Sequence, residues 1–103
     1  MFVGWLLPWR RWWAGKPLRD WQVILYTRQG CHLCELAWQQ LRKVQKHQGF
    51  ALTVVDVDGD PQLAARHGMH VPVVEINGKV RFRGRINEVL LRRLLEAGRN
   101  QQH

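Results

Sequence analysis

Acidic residues, cysteines and long apolar runs are all scarce in this chain of 103 residues. Only Cys31 and Cys34 are present, too close together to staple a small secreted fold. They point instead to a reducing compartment and a chemically active pair. The N-terminal apolar stretch from Met1 to Trp9 is interrupted by Pro8 and stopped by Arg10 and Arg11. It falls far short of the about 20 residues a bilayer span requires. Its arginines follow the apolar run, whereas a secretory signal carries basic residues ahead of it, so export is not expected and a cytoplasmic location is. No internal repeat is visible.

Hydrophobic residues make up 46% of the chain, enough at this length for one compact domain with an adequate core. That excludes a multidomain protein and a disordered one. Sixteen basic against eight acidic side chains leave a formal charge of +8, unevenly placed. Residues 1–21 carry a net +3 and residues 79–103 a net +5, while residues 22–78 hold five groups of each sign. Five of the six tryptophans (Trp5, Trp9, Trp12, Trp13 and Trp21) also fall in the first 21 positions.

The middle of the chain alternates two periods. Gln22–Tyr26 is a short apolar run rich in β-formers and is followed by a turn-prone Thr-Arg-Gln-Gly. From Cys31 onward Leu33, Leu36, Ala37, Leu41 and Val44 recur at helical spacing until Gly49. Residues 51–57 again read as a strand, so 22–57 form a β-α-β unit whose crossover implies parallel strands. Asp60-Pro61 suits an N-cap and first helical residue, opening a short helix to about Arg66. Asn77-Gly78 between Val73–Ile76 and Val80–Arg83 predicts a two-residue hairpin turn. On the second of these strands Val80 and Phe82 are expected on one face and Arg81 and Arg83 on the other, the charge suiting a sheet edge. A final helix from about Asn87 to Ala97 would bury Val89, Leu90, Leu94 and Leu95 and stop near Gly98. The order is β-α-β-α-β-β-α.

Cys31-His32-Leu33-Cys34 sits where the first strand turns into a helix. Unpaired amides and the helix dipole there favour a thiolate at Cys31, the species that attacks disulfides. Cys34, with two residues between, can resolve the mixed disulfide by intramolecular attack. Cys31 is therefore assigned as nucleophile and Cys34 as resolving thiol. Half of a zinc site, or two structural thiols, would show the same spacing. His70-Val71-Pro72 precedes the third strand, where a proline lacking a ladder donor is tolerated.

Tyr26-Thr-Arg-Gln-Gly-Cys-His-Leu-Cys34, Val71-Pro72 ahead of the hairpin, and Gly84 before the last helix resemble the thioredoxin-fold glutaredoxins. The similarity is closest to small bacterial glutaredoxin-like proteins with a Cys-x-Leu-Cys site, and it spans about residues 21–98. Residues 1–20 then form a Trp/Arg-rich extension and 99–103 a polar tail. The resemblance implies an α/β, thioredoxin-like fold with a four-stranded mixed sheet flanked by helices. It also implies a cis Pro72 beside the cysteines, and a Val71 backbone that pairs with an extended peptide or glutathione. Arg28 stands where the family often has a lysine that contacts the glutathione carboxylate. The family's usual threonine two before the proline is His70, its Gly-Gly is Gly84-Arg85, its following acidic residue is Asn87 with Glu88 next, and the aromatic between its cysteines is Leu33. The implied substrate-binding set is thus Arg28, His32, Leu33, His70, Val71, Pro72, Gly84 and Arg85.

The implied activity is thiol–disulfide oxidoreduction on protein disulfides or glutathione mixed disulfides, with glutathione or a reductase as electron donor and no tightly bound cofactor. In that arrangement His32 or His70, when protonated, would further favour the Cys31 thiolate, and Arg28 with Arg85 would attract an anionic thiol. The alternative is a non-catalytic thioredoxin-fold module for binding or metal handling. Cys31, Cys34, His67 and His70 offer four potential zinc ligands, but His67 and His70 are closer than the usual zinc spacing, and no metal site is assigned. Trp5, Trp9, Trp12 and Trp13 share one arc of a helical wheel, with Arg10 and Arg11 outside it, a pattern suited to peripheral membrane contact. No nucleic-acid-binding module is recognised, and the C-terminal arginines fit solvated faces.

Overall fold

A computed structural model describes residues 17–100. The elements follow the expected order: β1 (Gln22–Thr27), α1 (His32–Gln48), β2 (Ala51–Asp56), α2 (Pro61–His67), β3 (Val73–Ile76), β4 (Lys79–Arg83) and α3 (Glu88–Asn100). Short 3-10 turns cover Leu18–Asp20 and Val57–Gly59. The four strands form one mixed sheet in the order β2-β1-β3-β4, with β1 parallel to β2 and antiparallel to β3. The tryptophan- and arginine-rich stretch holding Trp5, Trp9, Arg10, Arg11, Trp12 and Trp13 lies outside the described residues. No helix among the described residues is long and apolar enough to cross a membrane.

Local chemistry sets the boundaries. Gly49 ends α1 in the left-handed region (φ 78°), and its N–H donates to the Gln45 carbonyl at 2.8 Å. The Asp60 carboxylate accepts the Gln62 N–H at 2.9 Å and Pro61 occupies the first turn of α2. Asn87 Oδ1 accepts the Leu90 N–H at 3.1 Å to start α3. Asn77 and Gly78 both take positive φ (51° and 85°), as a tight hairpin of this twist requires. Asn77 also clips that turn to the start of β1: the Gln22 N–H donates to its Oδ1 at 2.9 Å and its own N–H donates to the Gln22 carbonyl at 2.8 Å.

Strand alternation divides the apolar side chains between two faces. Val23 and Leu25 of β1, with Val74 and Ile76 of β3, pack against Ala37 and Leu41 of α1 and Leu91 and Leu95 of α3. Tyr26 and Val73 face the other way, toward Val57 and Leu63. Leu18 and Trp21 are both buried in the larger cluster, so the packed core takes in a residue ahead of 21–98.

Several expectations are corrected. Val80 and Phe82 do not share a face. Val74 pairs with Phe82 but Glu75 with Val80, leaving Arg81 as the extra residue of a bulge; Phe82 joins the larger cluster and Val80 the smaller. Val57 ends the strand early because it turns into a 3-10 segment and is buried under α2. Leu91 and Leu95 form the buried stripe of α3, while Val89 and Leu90 stay exposed. Leu36 of α1 is likewise exposed. Finally, α3 continues through Gly98. A Cβ at Gly98 would collide with the Trp21 ring and with Leu18 Cδ2, at 2.9 Å from the latter, so close packing and not helix termination requires glycine there.

His67, buried at the end of α2, stacks on Tyr26 with ring centroids 4.4 Å apart. Burial, and then the neighbouring Arg66, push its pKa below the ordinary 6.5, with Glu75 partly opposing and Arg83 and His70 adding to the depression. The Tyr26 hydroxyl donates to Glu75 Oε1 at 3.4 Å; burial first, then that carboxylate, raises its pKa.

Two outcomes follow from this packing. Ala normally outranks Gly inside a helix by about 1 kcal/mol, yet Gly98→Ala is expected to lower stability by about 1–2 kcal/mol through overpacking against Trp21. A lower urea midpoint at unchanged slope would show it, and a higher midpoint would mean that Trp21 and Leu18 can retreat. Because His67 binds its proton less readily when folded, its contribution is present above the unfolded pKa of about 6.5 and is lost as pH falls below it. The drop in urea midpoint between neutral and mildly acidic pH should therefore be smaller in His67→Phe than in the parent; equal drops would refute it.

Candidate active site

β1 delivers the chain into a tight turn in which the Cys31 N–H donates to the Arg28 carbonyl at 3.3 Å and Gly30 adopts φ 76°. Cys31 then serves as the N-cap of α1, and its Sγ accepts the Cys34 N–H at 3.2 Å. The Glu35 N–H donates to the Cys31 carbonyl at 3.2 Å. A sulfur so placed meets an orphan amide and the positive end of a 17-residue helix, both of which stabilise a thiolate. Cys31 and Cys34 are joined as a disulfide with their Cα atoms 5.2 Å apart. The two sulfurs are not equivalent: Cys34 is buried at 3% exposure, whereas Cys31 is only partly covered.

The Val71–Pro72 bond is cis, as the resemblance implied. Pro72 is buried and Val71 half-buried against the smaller cluster. Gly84, at φ 77°, donates its N–H to the carbonyls of His70 (3.1 Å) and Pro72 (2.8 Å), which stitches the end of β4 to this turn. His70 is exposed. His32, also exposed, lies with Nδ1 3.9 Å from Glu35 Oε2.

A cavity of about 510 Å³ opens beside the cysteines, lined by Arg28, Cys31, Cys34, Glu35, Trp38 and Val54 among others. Of the sequence-predicted binding residues it gathers only Arg28 with the pair. Leu33 and Arg85 line a separate depression of about 370 Å³ together with Leu36, Ile86 and Glu88. Arg28 is already engaged: Nε and Nη2 donate to the Asp58 carboxylate at 3.0–3.2 Å, and Nη1 donates to the Gly68 carbonyl at 3.0 Å. Asp58 raises the pKa of this guanidinium by hydrogen bonding and by charge. Gly68 permits the approach, since a Cβ there would sit 2.7 Å from Arg28 Nη2. Among the described residues no group of three or more His, Cys, Asp or Glu is placed to hold a metal ion, and Cys31, Cys34, His67 and His70 do not form such a group.

Sequence reasoning missed Trp38, Val54 and Glu35 at this cavity and Asp58 behind it. Trp38 carried a signal. It is the one tryptophan outside the first 21 residues, four positions after Cys34 and seven after Cys31, on the helical stripe they share. The Arg28–Asp58 pair, 30 residues apart, carried none.

The family model for the Glutaredoxin-like domain (DUF836) matches residues 22–96. An uncharacterized protein of Mycobacterium tuberculosis, Rv0508, is 36% identical over 76 residues, which cover 69% of this chain and 78% of that protein. The solution structure of protein Ne2328 from Nitrosomonas europaea superposes with a TM-score of 0.63 at 29% identity, over 72% of this chain and 89% of the other. A thioredoxin from Fasciola hepatica superposes with a TM-score of 0.52 at 23% identity, covering 75% and 79% of the two chains; this likeness concerns the fold. With that family match over most of its length, the chain belongs to the glutaredoxin-like domain family and has the thioredoxin-like fold.

Proposed function

We propose that the protein is a thiol–disulfide oxidoreductase that reduces protein disulfides or glutathione mixed disulfides. One observation carries this reading: Cys31, the accessible member of a bonded pair, holds its sulfur at a helix N-terminus against the Cys34 amide. In the reduced protein the Cys31 thiolate attacks one sulfur of a substrate disulfide. A Cys31–substrate bond forms, the substrate's own bond breaks, and the departing thiolate takes a proton. Cys34 then loses its proton and attacks Cys31 Sγ. The Cys31–Cys34 bond forms and the second substrate sulfur leaves as a thiol, so two electrons pass from the pair to the substrate. Two molecules of glutathione, or a dithiol reductase, restore the pair by the reverse exchange. The Val71 backbone at the cis turn is suited to hold the substrate chain in extended form.

The test is a mixed-disulfide trap. Cys34→Ser, offered glutathione disulfide and then cell extract, is expected to retain a covalent adduct on Cys31 that dithiothreitol releases. The Cys31→Ser variant should capture at least about tenfold less near neutral pH, because the buried thiol lacks the N-cap stabilisation. Capture of glutathione would favour the glutathione-linked branch, capture of proteins alone the reductase-linked branch, and capture of neither would remove the enzymatic reading.

A further inference from the structure

The cavity beside the cysteines is a cleft between the first turns of α1 and the edge strand β2. Trp38 (42% exposed) projects into it from the helix, and Val54 (47% exposed) from the strand. Leu52 of the same strand packs into the core, so Val54, two residues on, faces the α1 side of the sheet without being covered by it. Two large apolar side chains thus stand open within the depression that holds the reactive sulfur.

Its charges are equally specific. Arg28 is the cation on its lining and is bound on two sides by Asp58 and Gly68. Glu35 is the acid on its lining, exposed, with His32 at 3.9 Å. An anionic ligand would meet an already neutralised guanidinium and a carboxylate. A neutral apolar group would meet the Trp38 ring and Val54.

Whatever reacts with Cys31 is tethered to it by a sulfur–sulfur bond, which fixes the occupant of the cleft: the residues flanking the substrate's own cysteine. Resting on the redox reading above, we propose that Trp38 and Val54 are specificity-determining contacts that select polypeptide disulfides with an aromatic or aliphatic residue beside the reactive cysteine, over small acidic thiols. The chemistry at sulfur is the same two-electron exchange; the cleft changes which disulfide reaches it. Trp38 is an apolar wall for the flank and does not touch the reacting atoms.

The test compares two synthetic peptides, each carrying one cysteine as a mixed disulfide with a small neutral thiol, with Phe or with Glu next to that cysteine. Steady-state turnover of both is followed with the full chain and with its Trp38→Ala and Trp38→Phe variants, dithiothreitol resupplying electrons. The parent should prefer the Phe peptide by about tenfold in kcat/KM, the low end of what one apolar contact gives, chiefly through KM. Trp38→Ala should lose most of that preference and Trp38→Phe should keep it. A parent that reduces both peptides equally, or a Trp38→Ala variant in which both rates fall in parallel, overturns the proposal and leaves the redox reading standing. A parent inert toward both peptides overturns the two together.

Discussion

The hydrogen bond from the Cys34 amide to the Cys31 sulfur requires that one residue finish a turn and begin a helix at the same time. Everything around the site serves that coincidence. β1 is an interior strand, paired with β2 on one side and β3 on the other, so the point at which it releases the chain is fixed by two ladders. The turn from Arg28 to Cys31 then needs a left-handed residue, and Gly30 supplies it. Once Cys31 is the cap, Cys34 falls on the inner side of the first helical turn and its sulfur is drawn under cover. The difference between an accessible and a buried sulfur, on which an attacking and a resolving role would rest, is therefore a consequence of helical geometry applied to a three-residue spacing.

The Arg28–Asp58 pair steadies this arrangement from outside. Arg28 belongs to the turn, Asp58 to the 3-10 segment after β2, and the Gly68 carbonyl to the end of α2, so one guanidinium links three segments that converge near the C-terminal ends of the parallel strands. The pair is exposed, so its contribution to overall stability is small. Its effect is positional: it holds the turn before Cys31 against the body of the domain. It also uses up a charge that a family comparison would assign to glutathione, which is why the cleft beside the cysteines is less cationic than the chain's composition suggests.

What could be read from sequence separates from what could not by the range of the interactions involved. Gly49, Asp60-Pro61 and Asn77-Gly78 act within a few residues of themselves, and each element boundary they mark is where the chain pattern places it. The Cys-x-x-Cys pair was equally plain because its chemistry depends on a spacing and on a helix start. Gly98 misleads for the opposite reason. A glycine near a helix end is ordinarily a stop, but here the residue that demands it is Trp21, 77 positions earlier, brought against α3 by the core. The bulge at Arg81 is similar: alternation in β4 alone puts Val80 with Phe82, and only the pairing with β3 turns them to opposite faces. At the site, the family resemblance groups Leu33 and Arg85 with Arg28, while in the structure Arg28 lines one depression and Leu33 and Arg85 another, with residues of α1 on the lining of both.

The net charge of +8 acquires a narrower meaning in this light. Beyond about 8 Å at physiological ionic strength its field is largely screened, so it can draw anionic partners toward the surface but cannot decide which group enters the cleft. That decision is made by the few groups on the lining, where one cation is paired, one carboxylate is exposed and two apolar side chains are uncovered. The excess positive charge sits on the other depression, near Arg85, on α3 with Arg92 and Arg93, and ahead of the described residues. Approach and selection are thus carried by different parts of the molecule: a basic exterior that is indifferent to sequence, and a nearly neutral cleft whose discrimination lies in what it leaves apolar. A protein whose site were as basic as its exterior would favour the small acidic thiol by charge alone, and an exposed tryptophan beside its reactive sulfur would add little to that choice.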